Sequence, residues 1–149
     1  SKLYVEQMSD FYARMHGVET VNLRYLYIRD LPLEQIGINL LARQFTDTDA
    51  ADANLLAVTQ PDLKNEVLHI GPDTVLTQQD TNQAMAGNPW AVLERKWPGC
   101  ESILRRLGVE PDPSHFWPVV PIHRAKRLLN WKPESKFESY LHMLGWLGK

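Results

Sequence analysis

The sequence predicts an α/β fold in which a short, buried parallel sheet is joined to a small, mostly helical part. Three observations predict it. Two apolar runs, Val21 to Ile28 and Val67 to Ile70, have the length and β-branched content of strands. Between them lies TDTDAADANLLAVTQ, which opens on helix-capping residues and ends before Pro61; a helix between two buried strands is the connection that parallel pairing needs. From Thr74 onward the apolar spacing is helical, broken repeatedly by Gly and Pro.

The chain opens with SKLYVEQMSDFYARMHG, where Tyr4, Met8, Phe11 and Met15 put one stripe on one face of a helix that Gly17 ends. Ser1 could cap it, but no Glu or Gln stands at the third position to complete a capping box. In the first strand run, Val21, Leu23, Tyr25 and Tyr27 alternate with Asn22, Arg24, Leu26 and Ile28, which predicts one strand mostly buried on both faces. Arg29-Asp30-Leu31-Pro32 breaks the run, and INLLARQF (38–45) is read as a helix although its length also suits a strand. In the next helix Thr48 or Asp49 is the cap, Asp52 suits the positive end of the dipole, and Ala51, Leu55 and Val58 are apolar. NEVLHIG is the second strand, closed by Gly71-Pro72.

Thr77 caps a helix to Met85, and Asn88 caps another with Pro89 at its first position, carrying Trp90, Leu93 and Trp97. ESILRRLG is a short helix stopped by Gly108, and VEPDPSHFWPVVP is an extended connector that packs. Ile122, Ala125, Leu128 and Leu129 mark a further helix with Asn130 as a left-handed stop, since Lys132-Pro133 forbids continuation. The last helix runs from about Ser135 and carries Phe137, Leu141 and Leu144. No repeat or low-complexity segment is present.

A chain of 149 residues with 44% hydrophobic content can bury one compact core. Sixteen basic against eighteen acidic residues leave a net charge of −2, so no global field draws the chain to nucleic acid or an acidic membrane. No run approaches eighteen apolar residues and no signal peptide order is visible. The single cysteine, Cys100, excludes an internal disulfide and fits a reducing compartment, so cytoplasm is the expected location.

The two ends of the chain resemble one family. SKLYVEQMSDFYARMHGVETVNLRYLYI resembles the segment of extended short-chain dehydrogenases/reductases, the NAD-dependent epimerase/dehydratase family, that holds the tail of the Tyr-x-x-x-Lys motif, its helix and the next strand. Ser1, Lys2, Glu6, Gly17, Leu23 and Arg24 carry the match. IHRAKRLLNWKPESKFESYL resembles the family's closing "S-K-A-x-x-x-L-G-W-x-P-x-x-S-F-x-E" signature through Arg124, Ala125, Leu129, Trp131, Pro133, Phe137 and Glu138. Between them Arg43-Gln44-Phe45 with Asp49 resembles "R-D-F-V-x-V-D-D", and EVLHIG resembles "E-V-Y-N-I-G"; agreement is weakest between Pro72 and Pro118. The resemblance implies that residues 1–149 are the C-terminal part of the fold: last strands of a Rossmann-type parallel sheet plus a small, mostly helical substrate-binding domain. The tyrosine and the Gly-rich nucleotide-binding half would lie upstream, and the isolated chain would be inactive.

In that family the lysine one helical turn after the tyrosine favours the phenolate and holds the nicotinamide ribose, so the resemblance makes Lys2 the catalytic and cofactor-binding residue. By itself, a lysine at a helix start is a solvated surface group. Tyr25 and Leu26, at the strand's end, are carried over as cofactor contacts, and Tyr27 and Arg43 as substrate contacts. Tyr27 replaces an asparagine that binds substrate in nucleotide-sugar epimerases. Arg43 matches an arginine that contacts pyrophosphate, but follows the strand after a much shorter segment, and no second phosphate-binding arginine stands in PDPSHFWPVVP. A salt bridge at a helix start is the competing reading of Arg43. Arg24, inside an apolar strand, is expected to be paired and structural.

The implied cofactor is NAD or NADP, and the implied substrate a sugar or a smaller sugar-like acid or aldehyde. The intact protein would be an epimerase, dehydratase or dehydrogenase, with a homodimer as the implied assembly. The alternative is a binding or interaction module that keeps the fold without the chemistry. The five histidines show no metal spacing with Cys100 or acidic pairs, so no metal is expected. The cations of HRAKRLLNWK fit a solvated helix face, so nucleic acid is not an expected partner. Trp90, Trp97, Phe116 and Trp117 are read as core, with an apolar pocket as the alternative. Three spatial expectations follow. Val21 and Leu23 should pair in parallel with Val67, Leu68 and Ile70. Trp131 should be buried beside Phe137 and Leu141. Lys2 should share an open cleft with the Tyr25–Tyr27 strand end.

Overall fold

The structure is a computed structural model that describes residues 2–61, 63–116 and 119–148; Ser1 and Trp117, on which two of the readings above fall, lie outside them. The elements run α1 (Lys2–His16), β1 (Val21–Tyr25), β2 (Tyr27–Arg29), α2 (Leu33–Ile36), a 3-10 helix (Gly37–Leu41), β3 (Gln44–Thr46), α3 (Asp47–Thr59) and β4 (Glu66–Ile70). Then follow α4 (Gln78–Met85), α5 (Pro89–Lys96), α6 (Cys100–Arg106), a 3-10 turn (Pro113–Phe116), α7 (His123–Leu129) and α8 (Phe137–Met143). The fold is α/β, as the strand–helix–strand order predicts.

β1 pairs with β4 in parallel, Leu23 opposite Leu68 and Tyr25 opposite Ile70, so the expected pairing holds. The run from Val21 to Ile28 is not one strand, however. Leu26 still donates its N–H to the Ile70 carbonyl, and at Tyr27 the chain leaves that sheet, Tyr27 N–H donating to Arg43 O. Tyr27–Arg29 thus forms a second parallel pair with β3. Nor is the run buried on both faces: β1 is half-buried with Arg24 exposed, and β2 is exposed throughout. Among the described residues β1 has a strand on one edge only, and the α1 side that faces it is polar. Ser9 donates to Asn22 and Arg24 to Glu6, while Asn65, before β4, donates to Asp10. No residue of α1 is buried, and its apolar stripe points outward, Tyr4 being 62% and Met15 65% exposed.

The expected helix over residues 38–45 is also corrected. Ile38, Leu40 and Leu41 are buried in a 3-10 helix, and Gln44–Thr46 is the strand β3 with Phe45 in the core. The apolar run is short, and the ladder with β2 decides its second half. Thr46 rather than Thr48 or Asp49 caps α3, its hydroxyl accepting from Asp49 N–H. α3 buries Asp49, Ala50 and Ala53, whereas Leu55 and Val58 are 63% and 86% exposed. Small residues face the sheet because the helix lies close to it.

Two cores result. Phe45, Ala53, Leu68, Ile70, Ala125, Leu129 and Trp131 fill the space between the β1–β4 sheet, α3 and α7. Ile36, Leu41, Trp97, Leu104, Phe116, Phe137 and Leu141 form a helical core. Trp97 and Phe116 are therefore core, with Trp90 partly buried against them. Trp131 is buried as expected, but in the sheet-side core and not beside Phe137, because Pro133 and Ser135 carry the chain from one core to the other. Asp49 ties the cores together: its carboxylate accepts from Glu134 N–H at 2.8 Å and Ser135 N–H at 2.9 Å, and Ser135 Oγ lies 2.6 Å from Thr46 Oγ1. Several local signals hold. Thr77 forms a capping box with Asp80, Pro89 begins α5, and Asn130 is left-handed at φ 52°. The 109–121 connector includes one 3-10 turn that buries Phe116.

Candidate functional site

α1 begins at Lys2, and β1 ends at Tyr25, so the helix start and the carboxyl end of the strand meet at one edge of the sheet. A cleft of about 540 Å³ opens there, lined by Lys2, Leu3, Leu23, Tyr25, Leu26 and Val120, with Glu6, Arg24 and His69 on its polar side. Of the residues singled out from sequence, Lys2, Tyr25 and Leu26 come together here. Leu26 is held by the backbone bond to Ile70 and lies against Gly71, where a Cβ would come within 2.5 Å of its Cδ1. A side chain at position 71 would push Leu26 aside, which is a structural reason for glycine at the end of β4.

The polar side of the cleft is a linked trio. Arg24 Nε and Nη2 bind Glu6 Oε1 and Oε2 at 2.6 and 2.5 Å, a bidentate pair, and Nη1 lies 3.5 Å from His69 Nε2. The bond from Arg24 lowers the Glu6 carboxyl below its ordinary range. Burial, followed by the Arg24 charge, lowers the His69 imidazole, which favours a neutral ring whose Nε2 can accept from Arg24. Arg24 is thus paired, as its place in an apolar strand requires. Burial raises the Tyr25 phenol against the opposing pull of Asn54, and Asn22 lines the same cleft, its amide nitrogen buried without a hydrogen-bond partner among the described residues.

Tyr27 and Arg43 do not line this cleft. They meet each other across the β2–β3 ladder, the Arg43 guanidinium standing 5.1 Å from the Tyr27 ring centroid in a cation–π contact. No carboxylate pairs with Arg43 among the described residues, so the salt bridge at a helix start is not formed. The His115 ring is close enough for burial and the Arg43 charge to lower its pKa against the opposing pull of Asp112.

A second cleft of about 720 Å³ lies beyond the carboxyl end of β4, lined by Pro72–Thr74, Leu76, Gln78 and residues 119–123 with Lys126 and Arg127. Val120 lines both clefts. Sequence reading missed this region, and His69 too. Glu6 stands four residues after Lys2 and was visible as a helix-face neighbour. His69 becomes a partner of Arg24 only through the register that places it opposite. His123, Lys126 and Arg127 looked like one solvated helix face until the loop after β4 came to lie against them. Among the described residues no group of three His, Cys, Asp or Glu is arranged to hold a metal, and no helix is long and apolar enough to cross a membrane. Cys100 is buried, and burial pushes its thiol up to about 12, so it is chemically inert.

No family model matches the chain, and no curated protein sequence matches it. Among solved structures, it is similar to UDP-N-acetylglucosamine 4-epimerase from Bacillus cereus at 23% identity and a TM-score of 0.52, covering 96% of this chain and 49% of that one. A glucuronic acid dehydrogenase from Chromohalobacter salexigens is similar at 14% identity and a TM-score of 0.48, covering 97% and 37% respectively. At such identities the epimerase likeness speaks for the fold: the chain has a Rossmann-like α/β architecture and spans about half the length of the epimerase structure.

Proposed function

We propose that this chain is the substrate-side part of an NAD(P)-dependent oxidoreductase of the extended short-chain dehydrogenase/reductase type, acting on a sugar or sugar-like small molecule. The observation that carries the reading is the convergence of Lys2, Tyr25 and Leu26 on one cleft at the carboxyl edge of a parallel sheet, where α/β folds bind ligands. The residues present fit the nicotinamide-ribose end of a dinucleotide. Lys2 offers a cation to hydroxyls, Leu3, Leu23 and Leu26 an apolar wall, and Asn22 a buried amide donor without a partner. When bound, the cofactor would accept or deliver a hydride.

Lys2 would hold the ribose and favour the phenolate of a tyrosine one turn earlier on the same helix face, so that the phenol can move a proton at neutral pH. The Glu6–Arg24 pair would tie α1 to β1 and so fix the helix start that carries Lys2. Tyr27 and Arg43 would contact the far end of the substrate. The open edge of β1 and the outward stripe of α1 would be covered by the remainder of the sheet in the longer protein.

The test is made on the longest open reading frame containing this chain. NAD- or NADP-linked turnover of sugar acids, sugar aldehydes and nucleotide sugars is expected, and Lys2→Met should lower it at least about 100-fold. Unchanged turnover in Lys2→Met would demote Lys2 to a surface lysine, and no turnover by the unaltered protein would put the non-catalytic binding module ahead. Calorimetry of the 149-residue chain with NAD and NADP should show no micromolar binding; such binding would place the whole cofactor site in these residues.

A further inference from the structure

We propose that the cleft beyond β4 binds the anionic end of a sugar-sized ligand, a carboxylate or phosphate, through Arg127, Lys126 and His123. The inference builds on the proposed function in taking that ligand to be the substrate, but the binding itself stands on the cleft's own chemistry. At about 720 Å³ the cleft has room for a monosaccharide derivative. Leu76, Val119 and Ile122 offer apolar surface for the C–H face of a sugar ring, and the Thr74 hydroxyl proton and Gln78 amide oxygen are available to its hydroxyls, the Thr74 oxygen accepting from Leu76 N–H and the Gln78 nitrogen donating to Asn82.

The charge of the lining decides the ligand class. Its one carboxylate, Asp73, is engaged by Lys126 Nζ at 2.7 Å, with Lys136 Nζ at 3.7 Å from the same oxygen. Asp73 is therefore more than neutralised before any ligand arrives. Arg127 lines the cleft with no carboxylate within 4.0 Å among the described residues, and His123 likewise. A guanidinium without an acidic partner in a partly apolar cleft is matched by a bidentate anion. Val120 lines both clefts, so this cleft adjoins that of Lys2, and a ligand anchored here by its anion lies beside the proposed reacting end.

The experiment is an amide NMR titration of the 149-residue chain with three probes: glucuronate, glucose 6-phosphate and glucose. Glucuronate, glucose 6-phosphate or both should shift the amides of Thr74, Gln78 and His123–Arg127, with neutral glucose binding at least about ten-fold more weakly; which anion binds tighter tells a carboxylate from a phosphate site. Arg127→Gln, a change at an exposed position, should weaken the better anion about ten-fold. Lys132→Gln, which removes an exposed cation outside the cleft, should leave it unchanged. Equal binding of glucose, equal loss in Lys132→Gln, or no shift from either anion at about 20 mM would overturn the proposal. Anion binding here with no NAD- or NADP-linked turnover by the longer protein would overturn the oxidoreductase reading alone, and turnover without anion binding here would overturn this inference alone.

Discussion

Removing the Asp49 carboxylate tests how the two cores are joined. Asp49 is 2% exposed, and its two oxygens accept the backbone N–H groups of Glu134 and Ser135 at 2.8 and 2.9 Å. Those donors belong to the segment between Trp131 of the sheet-side core and Phe137 of the helical core. In Asp49→Ala both would lose a charged acceptor. A hydrogen bond to a charged group contributes about 1.5–3 kcal/mol, and a buried donor left unpaired costs about 1–3 kcal/mol. Ser135 N–H is fully enclosed, whereas water can reach the partly buried Glu134 N–H, so the lower end applies to the second bond and the sum is about 3 kcal/mol. Asp49→Asn keeps one carbonyl acceptor and turns an amide NH₂ toward the other donor, so about half that loss is expected. Urea unfolding followed by far-UV circular dichroism, extrapolated linearly to water, measures both. A loss below about 1 kcal/mol in Asp49→Ala would refute the reasoning, since it would mean that solvent or a shifted loop satisfies both donors.

Two further outcomes are expected. Burial would raise the Asp80 carboxyl, but the Thr77 backbone and hydroxyl with Arg95 and Lys96 outweigh it and hold the group well below the usual carboxylate range. A lowered folded pKa means stability that is present above the unfolded value near about 4 and lost as pH falls below it. Asp80→Asn should therefore destabilise by about 2 kcal/mol at pH 7, and by less as the pH drops below about 4; a difference that does not change with pH in thermal melts would contradict the assignment. Gly71→Ala should displace the Leu26 side chain, since the clash is with the flexible end of that residue. A stability loss under about 1.5 kcal/mol with a large methyl shift at Leu26 is expected, and a loss above about 3 kcal/mol would show that backbone had moved instead.

Much local chemistry was legible from the residues, the cap of α3 being an exception that fell on Thr46 instead of Thr48 or Asp49. Thr77 as a cap, Pro89 at a helix start and Asn130 as a left-handed stop act through their own backbone neighbours. The parallel pairing of Val21–Tyr25 with Glu66–Ile70 was legible too, because a capped helix between two short apolar runs leaves little other geometry. The convergence of Lys2 with Tyr25 and Leu26 followed from the same order of elements.

What only the tertiary structure decided are the features set by long-range contacts. Whether Tyr27 continues β1 depends on β3, which captures its backbone; the alternation from Val21 to Ile28 is the same either way. The buried face of α3 is Ala50 and Ala53 rather than the side of Leu55 and Val58, because close approach to the sheet outweighs side-chain hydrophobicity. Trp131 sits in the sheet-side core since Asp49 pins the segment that follows it. His69 meets Arg24 through strand register, and the charge surplus at Arg127 exists only because the Lys126–Asp73 contact spans 53 positions of sequence. Composition and periodicity carry no term for such distances, and the cleft beyond β4 is built from them.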